Sequence, residues 1–224
     1  MRTYKDRGEI MDKKCAIFAA GEYDLKEKPD LTDALILAAD AGVKHLKKIG
    51  VRPHVVIGDF DSNGEVPESY ETIVHPVIKD DTDTMLCVKY ALERGCEVIC
   101  LYGCLGGGFD HSIANLQTLS YIAEHGAVGY IISNDTSVVA IKNSSLFFSE
   151  KGRFSVFSMC GIAEGVKISG AKYDCDKLNL TPTFPLGVSN EFLADFTEIS
   201  VENGIIHVFW TQNHINRFPK IKRI

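Results

Sequence analysis

The apolar stretch Val55-Val56-Ile57 runs straight into Gly58-Asp59-Phe60-Asp61-Ser62. Aspartate is depleted in strands, and two carboxylates projected from one strand end repel each other, so this arrangement calls for a compensating cation. Asp59 and Asp61 supply the hard anionic oxygens that Mg2+ takes, and Mg2+ held this way keeps waters and bridges to substrate phosphates. The same residues, followed by Asn63-Gly64, also make a good turn, because Asp, Ser and Asn bond nearby backbone and Gly tolerates positive φ. Company favours the metal. Two more polar loops follow, Asp80-Asp81-Thr82-Asp83 and Gly106-Gly107-Gly108-Phe109-Asp110-His111, each beside a predicted strand.

In the second loop Asp and Thr are ordinary helix-capping residues, but a cap needs one acid and three are present. Asp83, a turn in, is the third candidate metal ligand, and Lys79 could neutralise the cluster or touch a phosphate. The third loop, Gly103 to Gly108 between a strand and a helix, suits a backbone cradle for phosphate. It is neither a P-loop nor a G-x-G-x-x-G fingerprint, and a tight strand-to-helix turn would also use glycine. Asp110 and His111 fall at the start of that helix, where His111 serves equally as cap, spacer or catalyst.

The elements that must position these loops alternate. Ala16 to Ala20, Ala34 to Ala39, His54 to Ile57, Thr72 to Pro76, Val98 to Tyr102 and Gly129 to Ser133 read as strands; Ala41 to Ile49, Thr82 to Arg94 and His111 to His125 read as helices with apolar stripes. Alternation of this kind predicts a mostly parallel, Rossmann-like sheet with helices on both faces over 15–142. Ligands of such sheets bind beyond the carboxyl ends of the strands, so Asp40, the Asp59 pair, the Asp80 run and the glycine cluster should gather on one edge. After Asn143 short β-patterned runs such as Phe154 to Met159, Gly165 to Ile168, Phe196 to Val201 and Ile205 to Trp210 are split by Gly, Asn and Pro. They predict an all-β sandwich over 143–212, followed by a basic tail at 213–224 and preceded by an extension at 1–14.

Composition bounds the function. A chain of 224 residues is one large domain or two small ones, with two the preferred reading here. A net charge of -6 argues against a nucleic-acid binder, and no apolar run is long enough to span a bilayer. Cys96, Cys100 and Cys104 recur at a spacing of four, but along a strand at about 3.3 Å per residue their thiols would stand roughly 13 Å apart, too far for one ion. Seven cysteines without a C-x-x-C pair read as buried, reduced thiols of a cytoplasmic protein. Met1 to Lys14 is polar and shows no signal-peptide core.

Taken together, the loops and their order resemble the thiamine pyrophosphokinase family. The likeness runs through Ala39-Asp40-Ala41-Gly42, Gly50-Val51-Arg52-Pro53-His54, Ile57 to Ser62, Lys79 to Asp83, Gly106 to His111 with Asn115, and Gly187-Val188-Ser189-Asn190-Glu191. The resemblance implies a homodimer with shared active sites and transfer of pyrophosphate from ATP to the hydroxyethyl group of thiamine. It implies that Asp59, Asp61 and Asp83 hold Mg2+, and that Asp80, Lys79, the glycine loop, Asp110, His111 and Asn115 serve the nucleotide. Asp40 would lie near the thiamine pyrimidine, and Ser189 and Asn190 would contact thiamine from the β-domain. One position departs: the family usually has Arg where Gly108 stands.

Two rival readings remain at this stage. In a phosphatase of the haloacid dehalogenase type, an Asp-x-Asp supplies a nucleophile and an acid, but normally after the first strand, whereas two predicted strands precede Val55. A non-catalytic nucleotide or thiamine sensor would bind both ligands without forming AMP. Trp210 or Phe209 could wall the cationic thiamine rings, with core packing the competing role for both.

Overall fold

The computed structural model describes residues 13–24, 27–58, 71–74, 81–211 and 213–223. The first strands along the chain are β1 (Lys14–Phe18), β2 (Leu35–Ala39), β3 (Val55–Gly58), β4 (Glu71–Val74), β5 (Val98–Tyr102) and β6 (Val128–Ile132). Among them run a 3-10 turn (Asp40–Gly42) and three helices, α1 (Val43–Lys48), α2 (Asp83–Glu93) and α3 (Phe109–Glu124). The later strands are β7 (Thr136–Lys142), β8 (Ser144–Phe148), β9 (Gly152–Phe157), β10 (Ala163–Ser169), β11 (Cys175–Leu180), β12 (Asn190–Phe192), β13 (Thr197–Ser200), β14 (Ile205–Thr211) and β15 (Lys220–Arg223).

The protein is a mixed α/β structure with two sheets. The larger has ten strands in the order β12-β9-β14-β7-β6-β5-β1-β2-β3-β4. Its stretch from β6 to β4 is parallel throughout. From β6 through β7, β14, β9 and β12 every pairing is antiparallel. The smaller sheet is wholly antiparallel, ordered β11-β10-β13-β8-β15.

Strands covered on both faces must be apolar without alternation, and β1 (KCAIF) and β2 (LILAA) are. Cys15, Ile17 and Ala19 face one core with Cys87, Val88 and Ala91 of α2 and Leu119 and Ile122 of α3. Ala16 and Phe18 face the other, with Val43 and Leu46 of α1. That second core continues into Leu146, Phe148, Val166 and Ile199 of the smaller sheet and Phe154, Val156, Val208 and Trp210 of the larger. The smaller sheet therefore packs on the face that also carries α1.

Several elements were not among those read from the sequence. β8, β11, β12 and β15 lack a full apolar alternation, and their burial comes from pairing within the small sheet or at the edge of the large one. The helix expected from Ala41 opens instead as a 3-10 turn at Asp40, whose φ of 43° is left-handed. The basic C-terminal residues form edge strand β15 while Lys220, Lys222 and Arg223 stay exposed. Cys15, Cys87, Cys96 and Cys104 are buried, Cys100 and Cys175 are half-buried, and Cys160, against the expectation of uniformly buried thiols, is exposed; all seven are reduced. Among the described residues no helix is long and apolar enough to cross a membrane.

Candidate functional site

Along the chain, strands are added from β1 outward to β4, and β5 then returns to the other side of β1. The strand order reverses between β1 and β5, and ligand crevices form at the carboxyl edge beside such a point. A cleft of about 350 Å³ lies there. It is walled by Ala19 to Gly21 after β1, Ala39 and Asp40 after β2, Thr82 to Thr84 at the head of α2, and Gly103, Cys104 and Gly106 to Gly108 after β5, with His111 and Asn115 from α3.

The walls are set by close backbone contact. The Gly21 amide donates to the Gly103 carbonyl at 2.8 Å, and a Cβ on Gly21 would stand 2.5 Å from that same oxygen. Only glycine allows the two turns to meet this closely. Gly106 and Gly107 hold φ of 80° and 73°, in the left-handed region that glycine adopts without strain. Asn115 is 8% exposed, and its Nδ2 donates to the Cys104 carbonyl at 2.8 Å, so α3 pins the loop it follows. Gly108 caps α3 with no side-chain acceptor for the helix amides.

The acidic run is sorted by the start of α2. Thr82 Oγ1 accepts from the Met85 amide at 3.2 Å and is the cap. Asp81 is paired with Lys89 at 2.7 Å. Asp83, the first residue of α2, lines the cleft. Asp40 enters from the opposite wall; a Cβ on Gly58 would come within 3.1 Å of its Cα and Cβ, so the end of β3 is pressed against it. Burial pushes the Cys104 thiol up to about 12, which keeps it protonated and removes it as a nucleophile.

The structure thus brings Asp40, Asp83, Gly106, Gly107, Gly108, His111 and Asn115 to one cleft. Asp110 is exposed on the first turn of α3 and does not line it. Asp59, Asp61, Lys79 and Asp80 lie outside the described residues. Among the described residues no cluster of three or more His, Cys, Asp or Glu is placed to hold a metal ion. Asp83, a carboxylate beside a glycine cradle, has the donor chemistry that Mg2+ takes.

Ser189 and Asn190 stand elsewhere. Asn190 opens β12, at the far edge of the large sheet from β1 to β4, and its amide is engaged: Nδ2 donates to Tyr173 O at 2.8 Å, and Oδ1 accepts from the Tyr173 and Glu191 amides. Ser189 is exposed, in a left-handed turn with φ of 61°. Trp210 is buried in the core, packed edge-on against Phe148, and Phe209 packs against Phe157. Core packing is the role observed for both. Ala19 to Gly21 and Thr84 were not singled out as site residues from the sequence; a glycine just past the first predicted strand was the one available signal.

A cleft of this build, at the switch point of a parallel sheet, places the chain among α/β proteins that hold ligands beyond their strand ends. Residues 31–130 match the family model "Thiamin pyrophosphokinase, catalytic domain", and residues 143–206 match "Thiamin pyrophosphokinase, vitamin B1 binding domain". The chain belongs to the thiamine pyrophosphokinase family. It is similar to thiamine pyrophosphokinase of Bacillus subtilis, 25% identical over 192 residues that span 80% of this chain and 90% of the relative. It is also similar to thiamin pyrophosphokinase 1 of Caenorhabditis elegans, 24% identical over 182 residues, 75% of this chain and 74% of the relative. The crystal structure of the Bacillus subtilis protein superposes with a TM-score of 0.78 at 24% identity, covering 90% of this chain and 100% of that one. The solved structure of thiamin pyrophosphokinase from Candida albicans gives a TM-score of 0.71 at 15% identity, covering 90% of each chain.

Proposed function

We propose that the protein catalyses Mg2+-dependent transfer of a pyrophosphoryl group from ATP to the hydroxyethyl group of thiamine, giving thiamine diphosphate and AMP. The observation that carries this reading is the switch-point cleft, where Asp40, Asp83 and the glycine loop converge. The thiamine hydroxyl oxygen attacks the β-phosphorus of ATP, the bond from that phosphorus to the α,β-bridging oxygen breaks, and AMP leaves with that oxygen. The hydroxyl proton passes to a base or to water. In this chemistry the protein's task is alignment and charge compensation rather than a covalent intermediate.

The glycine loop and the open amides at the head of α3 cradle the nucleotide phosphates, with Asp80, Lys79, Asp110, His111 and Asn115 serving the same ligand. Asp59, Asp61 and Asp83 would hold Mg2+, which supplies neutralisation of the charge on the phosphate oxygens. Asp40 faces the acceptor. Residues 15–142 work as a Rossmann-like nucleotide-binding domain, and residues 143–212 as a sandwich that receives thiamine.

Ser189 and Asn190 reach thiamine from a second copy of the chain in a homodimer. Supporting this, Tyr173, Phe184, Leu186, Val188, Leu193 and Phe196 are large apolar side chains left exposed on the same stretch of β-domain, Phe196 by 72%. The protein works in the cytoplasm, where its seven thiols stay reduced. Against a haloacid dehalogenase-type phosphatase, β3 is the third strand along the chain and stands beyond β2 from β1.

The test is to mix the purified protein with Mg2+, ATP and thiamine and follow products. AMP and thiamine diphosphate should appear in equal amounts and only with all three present. Release of phosphate from simple esters without either product would overturn the reading. Tight binding of both ligands without AMP would establish a sensor instead.

A further inference from the structure

The turn after β1 lines the cleft, yet its own sheet partners hold it from one side only. Ala19 bonds Tyr102, Gly21 bonds Gly103 and Glu22 bonds Leu105, all through their amides and all toward β5 and its loop. The Gly21 carbonyl points the other way, and there it accepts from Nε2 of His45 at 2.9 Å. His45 sits in the middle of α1. That helix is held on β1 by Gly42, whose missing side chain leaves room for the Phe18 carbonyl; any Cβ would collide with that oxygen. One turn further along, the same docking delivers the imidazole to Gly21.

We propose that His45 is a positioning residue for the cleft: it holds the Gly21 turn against the Gly103 loop and so fixes the shape of the cleft wall that the two form together. This rests on the nucleotide reading above. Tyr23 packs against the imidazole, with ring centroids 5.0 Å apart. Nδ1 of His45 is buried with no hydrogen-bond partner among the described residues. A carbonyl can only accept, so Nε2 carries the proton of this bond. Burial lowers the ring's affinity for a second proton, partly offset by the bond to Gly21 and aided by Lys48 and Lys44, and so favours the neutral form. A neutral donor suits a strap beside an anionic ligand, because it holds the turn without competing with the metal for the phosphates.

The test uses the full chain and two variants. His45→Leu removes the donor at similar volume, and His45→Gln keeps an N–H at nearly the same reach. A lost net hydrogen bond corresponds to about a fivefold effect. Under the proposal, His45→Leu raises KM for ATP about fivefold with kcat and KM for thiamine unchanged, and His45→Gln restores it to within about twofold. In the ligand-free protein, amide hydrogen exchange at Gly21 and Glu22 speeds up by a similar factor in the Leu variant and reverts in the Gln variant. Exchange is read without turnover, so a strap that responds in a protein forming no AMP would refute the activity and leave the strap standing. If the Leu variant loses only thermal stability, with exchange at Gly21 and KM for ATP unmoved, or if Gln fails to rescue, His45 is ordinary packing and the proposal is wrong.

Discussion

Asn115→Leu isolates what the tether between α3 and the glycine loop contributes. Asn115 is buried, and its Nδ2 gives the Cys104 carbonyl a donor at 2.8 Å. Leucine matches the volume but leaves that carbonyl without this donor, a loss of roughly 1–3 kcal/mol for a buried polar group. At this chain length, each kcal/mol corresponds to about 2–4 °C in Tm, so a mid-range loss of about 2 kcal/mol should lower Tm by about 4–8 °C. Cys104 is two residues from Gly106, so part of the loss appears as loop conformations that do not bind nucleotide. If these cost about 1.4 kcal/mol in the competent population, KM for ATP rises about tenfold. KM for thiamine should stay within about twofold. The assay is a pair of kinetic titrations beside a thermal melt. A melt that falls as stated while KM for ATP does not move would refute the reasoning, because it would show that loop geometry and nucleotide affinity are separable. Asn115→Asp adds a sharper control: ionised, it sets a carboxylate against the carbonyl and should be worse than Leu at neutral pH, then recover on acidification as the carboxyl gains a proton to donate.

Gly21→Ala should abolish detectable nucleotide binding, since its Cβ would stand 2.5 Å from the Gly103 carbonyl and push the two cleft walls apart; equilibrium binding of ATP reads this directly. Asp83→Asn should remove Mg2+-dependent turnover while costing under about 1 kcal/mol in urea unfolding, because Thr82 remains the cap. Gly108→Arg should lower KM for ATP; the atoms its Cβ would meet are the Asp110 carboxylate and the His111 ring, both ends of flexible side chains that can move aside. His207 is fully buried and its pKa is pushed down to about 4 by burial. Its unfolded value is about 6.5, so the unfolded chain binds the extra proton first. Stability is therefore complete above pH 6.5 and falls by up to about 3 kcal/mol as pH drops toward 4. A His207→Gln variant should show a flatter urea midpoint across that window.

The sequence alone determined that this chain alternates strands and helices up to Ile141, that polar loops follow several of those strands, and that the order of those loops is that of the thiamine pyrophosphokinase family. These are legible because burial imposes local periodicities, and because turn and capping residues act within a few positions of themselves. The roles inside the loops were less legible. Asp81, Thr82 and Asp83 look alike as a run, and only the packing of α2 separates an ion pair with Lys89, a cap on Met85 and a cleft-lining carboxylate. Trp210 has a ring suited to wall thiamine, and only its burial beside Phe148 assigns it to the core.

Contacts between distant segments were decided by tertiary structure. The Gly21 turn meets the Gly103 loop because β5 pairs with β1 rather than continuing outward from β4. The pairing of β7 with β6 carries the large sheet from its parallel stretch into its antiparallel one without a break. No local pattern records either choice, since each depends on which remote strand supplies the buried partner. The side-chain amide of Asn190 is used by Tyr173, seventeen residues away in sequence, for the same reason. Residue types set what chemistry is possible at each loop, and the order of strands in the sheet decides which loops share a cleft.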